Sequence, residues 1–233
     1  MRLTKVFGLA AIAAVAAMAF IGTSTAGAIV LCKELVTTCP AGSQWPTGTQ
    51  ILGLATNPEL LGGLAIKCAD STVVGETTAA SGNPLPAKIT SLAFGILPTP
   101  TLGAGCTGCP FGLITLVHAN NLPFTASLEL QDKTVDKYAL VATGKATVLC
   151  TNSKHEAQFE CGYERTILSP ITHTGTHPLH SSSGNLPKIE INAALTLTLG
   201  SEFFCGSSAT WDANYVIYLA HAGGGSGLAW PAL

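Results

Sequence analysis

Lys188 to Leu199 reads KIEINAALTLTL, and its apolar residues fall on every second position. Ile189, Ile191, Ala193, Leu195, Leu197 and Leu199 take one side; Lys188, Glu190, Asn192, Thr196 and Thr198 take the other, with Ala194 the exception. Successive strand side chains point to opposite faces, so a period of two held this long predicts a half-buried β-strand. ATWDANYVI repeats the pattern with Trp211, Ala213, Tyr215 and Ile217, and TASLELQ does so with Ala126, Leu128 and Leu130. Residues 49–55, 64–78, 88–96, 113–118 and 138–149 read as β with weaker alternation. Clusters of Gly, Pro, Asn and Ser separate these runs: SGNPLP, LPTPTLGAG, ANNLP, TNSK and HSSSGNLP. No helical period of ten or more residues occurs beyond the N-terminus. HEAQFECGYE fits a short helix or a strand, and Cys161 within it favours the strand.

Many short strands with turn signals between them predict an all-β fold, an antiparallel sandwich or barrel. A parallel sheet needs crossover helices that this chain lacks. With no internal repeat and no linker, residues 29–221 are expected to form one β domain. The Gly-rich segment 222–233, AGGGSGLAWPAL, is expected to be a flexible tail.

The N-terminus sets the compartment. Arg2 and Lys5 precede a short apolar, alanine-rich run from Val6 to Ile21, and Ala26-Gly27-Ala28 follows. A basic start, a short apolar stretch and an A-x-A site predict a secretory signal peptide over residues 1–28. The run is short for a membrane span, which takes about 20 apolar residues. Leu31 ahead of Cys32 is too large for a lipid-attachment site. The chain is therefore expected to be secreted or cell-surface associated, with no membrane span in its mature form.

Charge narrows the partners. Eleven Lys and Arg stand against thirteen Asp and Glu, and loss of Arg2 and Lys5 with the leader makes the balance more acidic. Nucleic-acid binders need a clustered basic face, so nucleic acid is excluded as a partner. Charged residues make up 10% of the chain, so Thr, Ser, Gly and Asn must supply much of the wet surface.

Eight cysteines in an exported chain point to disulfides. Cys32 and Cys39 bracket KELVTT, and Cys150 and Cys161 bracket TNSKHEAQFE, so these pairs close short local loops. Each closure stabilises by roughly 2.5–3 kcal/mol in the chain-entropy model. Cys68, Cys106, Cys109 and Cys205 can then pair in three ways. The larger entropy gain of long loops favours Cys68–Cys106 with Cys109–Cys205. Cys106 and Cys109 also form a C-x-x-C, but no helix begins there to lower a thiol pKa. A zinc site would need a second such pair.

Several segments carry a resemblance. Cys32 and Cys39 lie ahead of WPTGTQI; KCADSTVVGETT, NNLPFTASL and CGSSATWDANYVI follow in order. In these motifs, spanning roughly Cys32 to Tyr218, the chain resembles a group of secreted, cysteine-bearing hypothetical proteins of soil actinobacteria. That group has no assigned activity, so the resemblance implies β architecture and export and no reaction. It does not extend to the histidine-rich segment or the Gly-rich tail.

Candidate chemistry is sparse. Glu156, Glu160 and Glu164 recur at a spacing that would share a helix face, and Asp132 and Asp136 flank KTV. Two acids roughly 5–10 Å apart can hydrolyse a glycoside, yet nothing singles out a pair. No G-x-S-x-G, P-loop or dinucleotide motif occurs. His173, His177 and His180 crowd into ITHTGTHPLHSSSG, where Gly175 and Pro178 oppose a helix. They are the candidate metal ligands, but residues 167–187 hold no Asp or Glu to orient the rings. The expectation is a non-catalytic extracellular or envelope-associated binding or structural module without a cofactor, contacting an envelope glycan or protein. The alternative is a secreted hydrolase or metal-binding protein using the 173–180 loop.

Overall fold

The computed structural model describes residues 27–33, 36, 38–95, 105–132, 137–173, 187–222, 225–227 and 230–232. The strands are β1 (Val30–Cys32), β2 (Gln50–Thr56), β3 (Glu59–Leu61), β4 (Ala65–Cys68), β5 (Asp70–Thr77), β6 (Leu85–Phe94), β7 (Cys106–Thr107) and β8 (Ile114–Ala119). They continue with β9 (Phe124–Asp132), β10 (Lys137–Thr151), β11 (Ala157–His173), β12 (Pro187–Leu199), β13 (Ser208–Ala222), β14 (Gly225–Gly227) and β15 (Trp230–Ala232). One helical turn, α1 (Glu202–Cys205), lies between β12 and β13.

Every pairing is antiparallel, and the main sheet closes on itself twice. β2, β5, β6, β9, β10, β11, β12 and β13 pair in chain order, and β13 returns to β2, which makes a lower ring. β13 also pairs with β3, and β3, β4, β7, β8 and β10 follow one another, which makes an upper ring. The fold is thus two stacked barrels sharing the four long strands β10–β13. At about 3.3 Å per residue those strands span roughly 40–55 Å, enough to wall both rings. Closing the sheet leaves few unpaired edges.

The shorter strands alternate between rings where the local sequence permits a sharp turn. Asn57, with φ 51°, follows β2 and sends the chain up into β3; asparagine tolerates this left-handed conformation better than most residues. Ala69 then breaks residues 64–78 into β4 above and β5 below, which the alternation alone did not show.

Apolar side chains fill both rings as one core that includes Ile66, Val117, Val148, Leu195, Trp211 and Tyr215. The alternation is realised in the middle of β12 and along β13: Ile191, Leu195, Trp211 and Tyr215 are buried, while Glu190, Asn192, Asp212 and Asn214 are exposed; at the ends of β12 Ile189 is half-buried and Leu199, at the rim, is exposed. At the waist between the rings Ser71 Oγ donates to the Ala93 carbonyl at 2.9 Å. Tyr215 OH lies 2.7 Å from that same Oγ. A serine has one proton to give, so Tyr215 is the donor in this second bond. The lower mouth is plugged by the N-terminal segment, where Ile29, Leu31 and Trp45 pack on Leu85, Leu128 and Tyr138.

The cysteines pair Cys32–Cys39, Cys68–Cys106, Cys109–Cys150 and Cys161–Cys205. The expected Cys150–Cys161 and Cys109–Cys205 bonds are not formed. The β10–β11 register is the reason: it sets Cys150 opposite Phe159 and Cys161 opposite Val148. The two cysteines are two rungs out of step, so each reaches a different neighbour. The C-x-x-C is divided between two bonds. All four disulfides fit an oxidising compartment. The segment expected as a flexible tail carries two paired strands, β14 on β13 and β15 on β1; backbone pairing to the N-terminal strand draws it back onto the barrel.

Candidate functional site

The upper end of the barrel is built from four connections: residues 62–64, 108–113, 152–156 and 200–207. Three disulfides tie this end to the wall. Cys109–Cys150 holds the 108–113 turn, Cys161–Cys205 holds α1, and Cys68–Cys106 joins β4 to β7. Ser201 caps α1 by accepting from the Phe203 amide, an ordinary N-cap arrangement. Tyr163 OH donates to the Cys205 carbonyl at 2.6 Å, and burial pushes its pKa up. Gly63 packs backbone to backbone on this turn: its N–H donates to the Cys205 carbonyl at 3.1 Å, and a Cβ there would lie 2.4 Å from the Gly206 nitrogen. Thus α1 is fixed at the upper rim, between β11 and the 62–64 turn.

On this rigid end the chain shows its apolar surface. Among the described residues, the exposed large hydrophobics Leu61, Phe111, Ile114, Leu199, Phe203 and Phe204 lie here, and Leu168 lies on the wall. Phe111 and Phe203 are each 86% exposed. Phe111 also has φ 58°, a conformation a bulky residue rarely adopts without external constraint; the neighbouring Cys109 bridge supplies one. Phe204 stacks on Phe159 at 5.2 Å and meets Phe203 edge-on at 4.9 Å. Phe159, Phe203 and Phe204 form one aromatic cluster there; Phe111 stands on the same end, on the β7–β8 connection across the ring from the β12–β13 connection, and exposed apolar residues concentrated on one end are unlike the usual scatter. Lys154 is outnumbered around this patch by Glu156, Glu160 and Glu202, so its rim is weakly acidic.

His173 ends β11 at the lower end, opposite Pro187; His177, His180 and Asp136 lie outside the described residues. Among the described residues no three His, Cys, Asp or Glu side chains come together as a metal site. Glu160 and Glu164 lie on strand β11, about 13 Å apart along it, and Glu156 precedes that strand. Glu164 faces Lys145 at 3.4 Å, Glu59 faces Lys67 at 2.6 Å and Glu76 faces Lys88 at 2.8 Å. His118, half-buried on β8, has its pKa lowered because burial disfavours the imidazolium, an effect partly opposed by Glu160. Sequence reasoning missed the apolar end altogether. FF at 203–204 and the Phe after Cys109-Pro110 were its signals, but only the turn geometry brings them to one end.

No protein-family model matches this chain, and no curated protein or solved structure does. Among the described residues no helix is long and apolar enough to cross a membrane.

Proposed function

We propose that this is an exported, non-catalytic module that acts outside the cell by contact, docking on an envelope protein through its disulfide-braced apolar tip. The observation that carries this reading is the concentration of exposed phenylalanine and leucine on the one end that three disulfides hold rigid. A pre-ordered patch loses little conformational entropy on binding, and buried aromatic anchors are what interfaces use as hot spots. Phenylalanine offers no hydrogen bonds, so the tip suits an apolar protein surface better than a glycan. The weak charge of its rim predicts binding that changes little with salt.

The test places a photo-reactive residue at Phe111 or Phe203, and separately at Thr143 or Asn214 on the barrel wall, in the producing cell. Adducts of one size from the two tip positions and none from the wall are expected. Adducts from the wall alone, or from no position, would overturn the proposal.

A further inference from the structure

At the lower end one strand pair belongs to neither ring. β1 and β15 form a two-stranded sheet of their own, held by three rungs: Val30 opposite Ala232, Leu31 opposite Pro231 and Cys32 opposite Trp230. The other edge of β1 is fixed to the barrel. The Lys33 amide donates to the Ser43 carbonyl and the Trp45 amide to the Leu31 carbonyl, both at 2.8 Å. Ile29 and Gly82 exchange amide–carbonyl bonds at 2.8 and 3.0 Å. The two faces of β1 are packed as well: Ile29 and Leu31 belong to the cluster of Leu85 and Leu128, and Val30 and Cys32 to that of Cys39.

The backbone N–H and C=O of one strand residue point to the same side, and those of the next residue to the other. Ile29, Leu31 and Lys33 turn theirs to the barrel, so the groups of Val30 and Cys32 face β15. Val30–Ala232 and Cys32–Trp230 are therefore the hydrogen-bonded rungs, and Leu31–Pro231 is the open rung between them. Pro231 stands at the one β15 position where a missing N–H leaves no bond to β1 unmade. On the outer edge of β15 that same proline denies a third strand a donor. β1 is thus a pre-formed acceptor edge, filled by the C-terminal strand as an extended peptide fills a sheet edge. The connection that leads there is weakly held. Residues 223–227 read GGGSG, and β14 pairs with β13 through Gly225, Ser226 and Gly227, which bring no apolar side chain to the contact. Glycine loses the most conformational freedom on ordering, so local opening of this segment is easy.

We propose that the β1 edge is a strand-acceptor site whose second occupant is the C-terminal strand of another copy of this chain, so that two copies trade β15 and close a twofold dimer. Once opened, the chain from Gly223 to Trp230 reaches roughly 23–25 Å at full extension, enough to meet the lower end of a neighbour. The exchange keeps every β1–β15 rung, so concentration sets its balance. A short flexible linker gives the chain's own strand an effective concentration in the millimolar range; dilute protein is monomeric, and copies held close together exchange. A reciprocal exchange closes at two copies. It joins lower ends and leaves two apolar tips free, but does not depend on what the tips bind.

The test mixes equal amounts of ¹⁵N-labelled and ¹³C-labelled disulfide-intact protein at about 1 mM, the scale of the effective concentration. Nuclear Overhauser effects are expected from the ¹⁵N-bound amide protons of Val30 and Cys32 in one chain to the ¹³C-bound protons of Pro231 in the other. Sedimentation should show a monomer at about 10 µM and a dimer fraction near one half at about 1 mM. Ala232→Pro removes an amide that donates to Val30 and should abolish both the interchain signals and the dimer. Pro231→Ala, at the open rung, should leave both unchanged. An excess of a synthetic peptide of residues 225–233 should dissociate the dimer, a readout that stands even where Ala232→Pro does not fold. The proposal is overturned by any of four results: no interchain signal at any concentration, a dimer that survives the peptide or a folded Ala232→Pro, a dimer lost in Pro231→Ala, or a dimer lost in Phe203→Ser at the tip.

Discussion

Removing the Cys161–Cys205 bond tests whether the apolar tip owes its rigidity to the disulfides. The two cysteines are 44 residues apart in sequence and both are buried. The chain-entropy relation gives about 4 kcal/mol for a loop of that length, against about 2.4 kcal/mol for the Cys32–Cys39 loop, whose separation is 7. Total stability of a domain is of the order of 5–15 kcal/mol, so the longer bond carries a sizeable share. Cys161→Ala with Cys205→Ala should therefore cost more than Cys32→Ala with Cys39→Ala. At about 2–4 °C per kcal/mol for a domain of this size, the first pair should lower Tm by about 8–16 °C. Urea unfolding with the other bonds intact measures both. The tip pair should also lose the Phe111 and Phe203 cross-links, because α1 is then held mainly by Tyr163 and Gly63, while the N-terminal pair should keep them. If the Cys32–Cys39 variant is the less stable of the two, the reasoning from loop length fails.

Three further outcomes follow from the geometry. Ser71→Ala strands the buried Tyr215 hydroxyl and should cost about 1–3 kcal/mol, whereas Tyr215→Phe removes that group and should cost about 0.5–1.5 kcal/mol; equilibrium unfolding that reversed this order would show that the waist hydrogen bonds are not as described. Gly63→Ala should destabilise by more than about 1 kcal/mol, since its Cβ would meet the backbone of Gly206 at 2.4 Å; a Tm equal to wild type would refute the close packing of the 62–64 turn on α1. His118 has a lowered folded pKa, so the unfolded chain binds its proton more readily. The stability this group contributes is present above the ordinary histidine value of about 6.5 and is lost as pH falls through the lowered folded value. His118→Gln should accordingly flatten the acid-side fall in a plot of unfolding free energy against pH, and an unchanged slope would contradict it.

The strand alternation of Lys188–Leu199, Ala209–Ile217 and Thr125–Gln131 was legible because burial on one face of a sheet is written directly at every second residue. It named Ile191, Leu195, Trp211 and Tyr215 as core without reference to any partner strand. Even cysteine count and turn residues were local signals too, and they sufficed for a disulfide-bearing antiparallel protein. Pairing partners are a different kind of quantity. Cys150 and Cys161 lie near each other in the chain, but the hairpin register leaves them two rungs apart, and they bond instead to Cys109 and Cys205. Segment 155–164 lost its helical alternative because β10 and β12 offered it paired edges, a choice made by long-range hydrogen bonds over local propensity. Phe111 and Phe203, some ninety residues apart in the chain, lie at the same end only because two connections finish at the same rim of a closed barrel. Local periodicity determines which face of a strand is buried; closure of the sheet decides which strands meet and which end is left apolar.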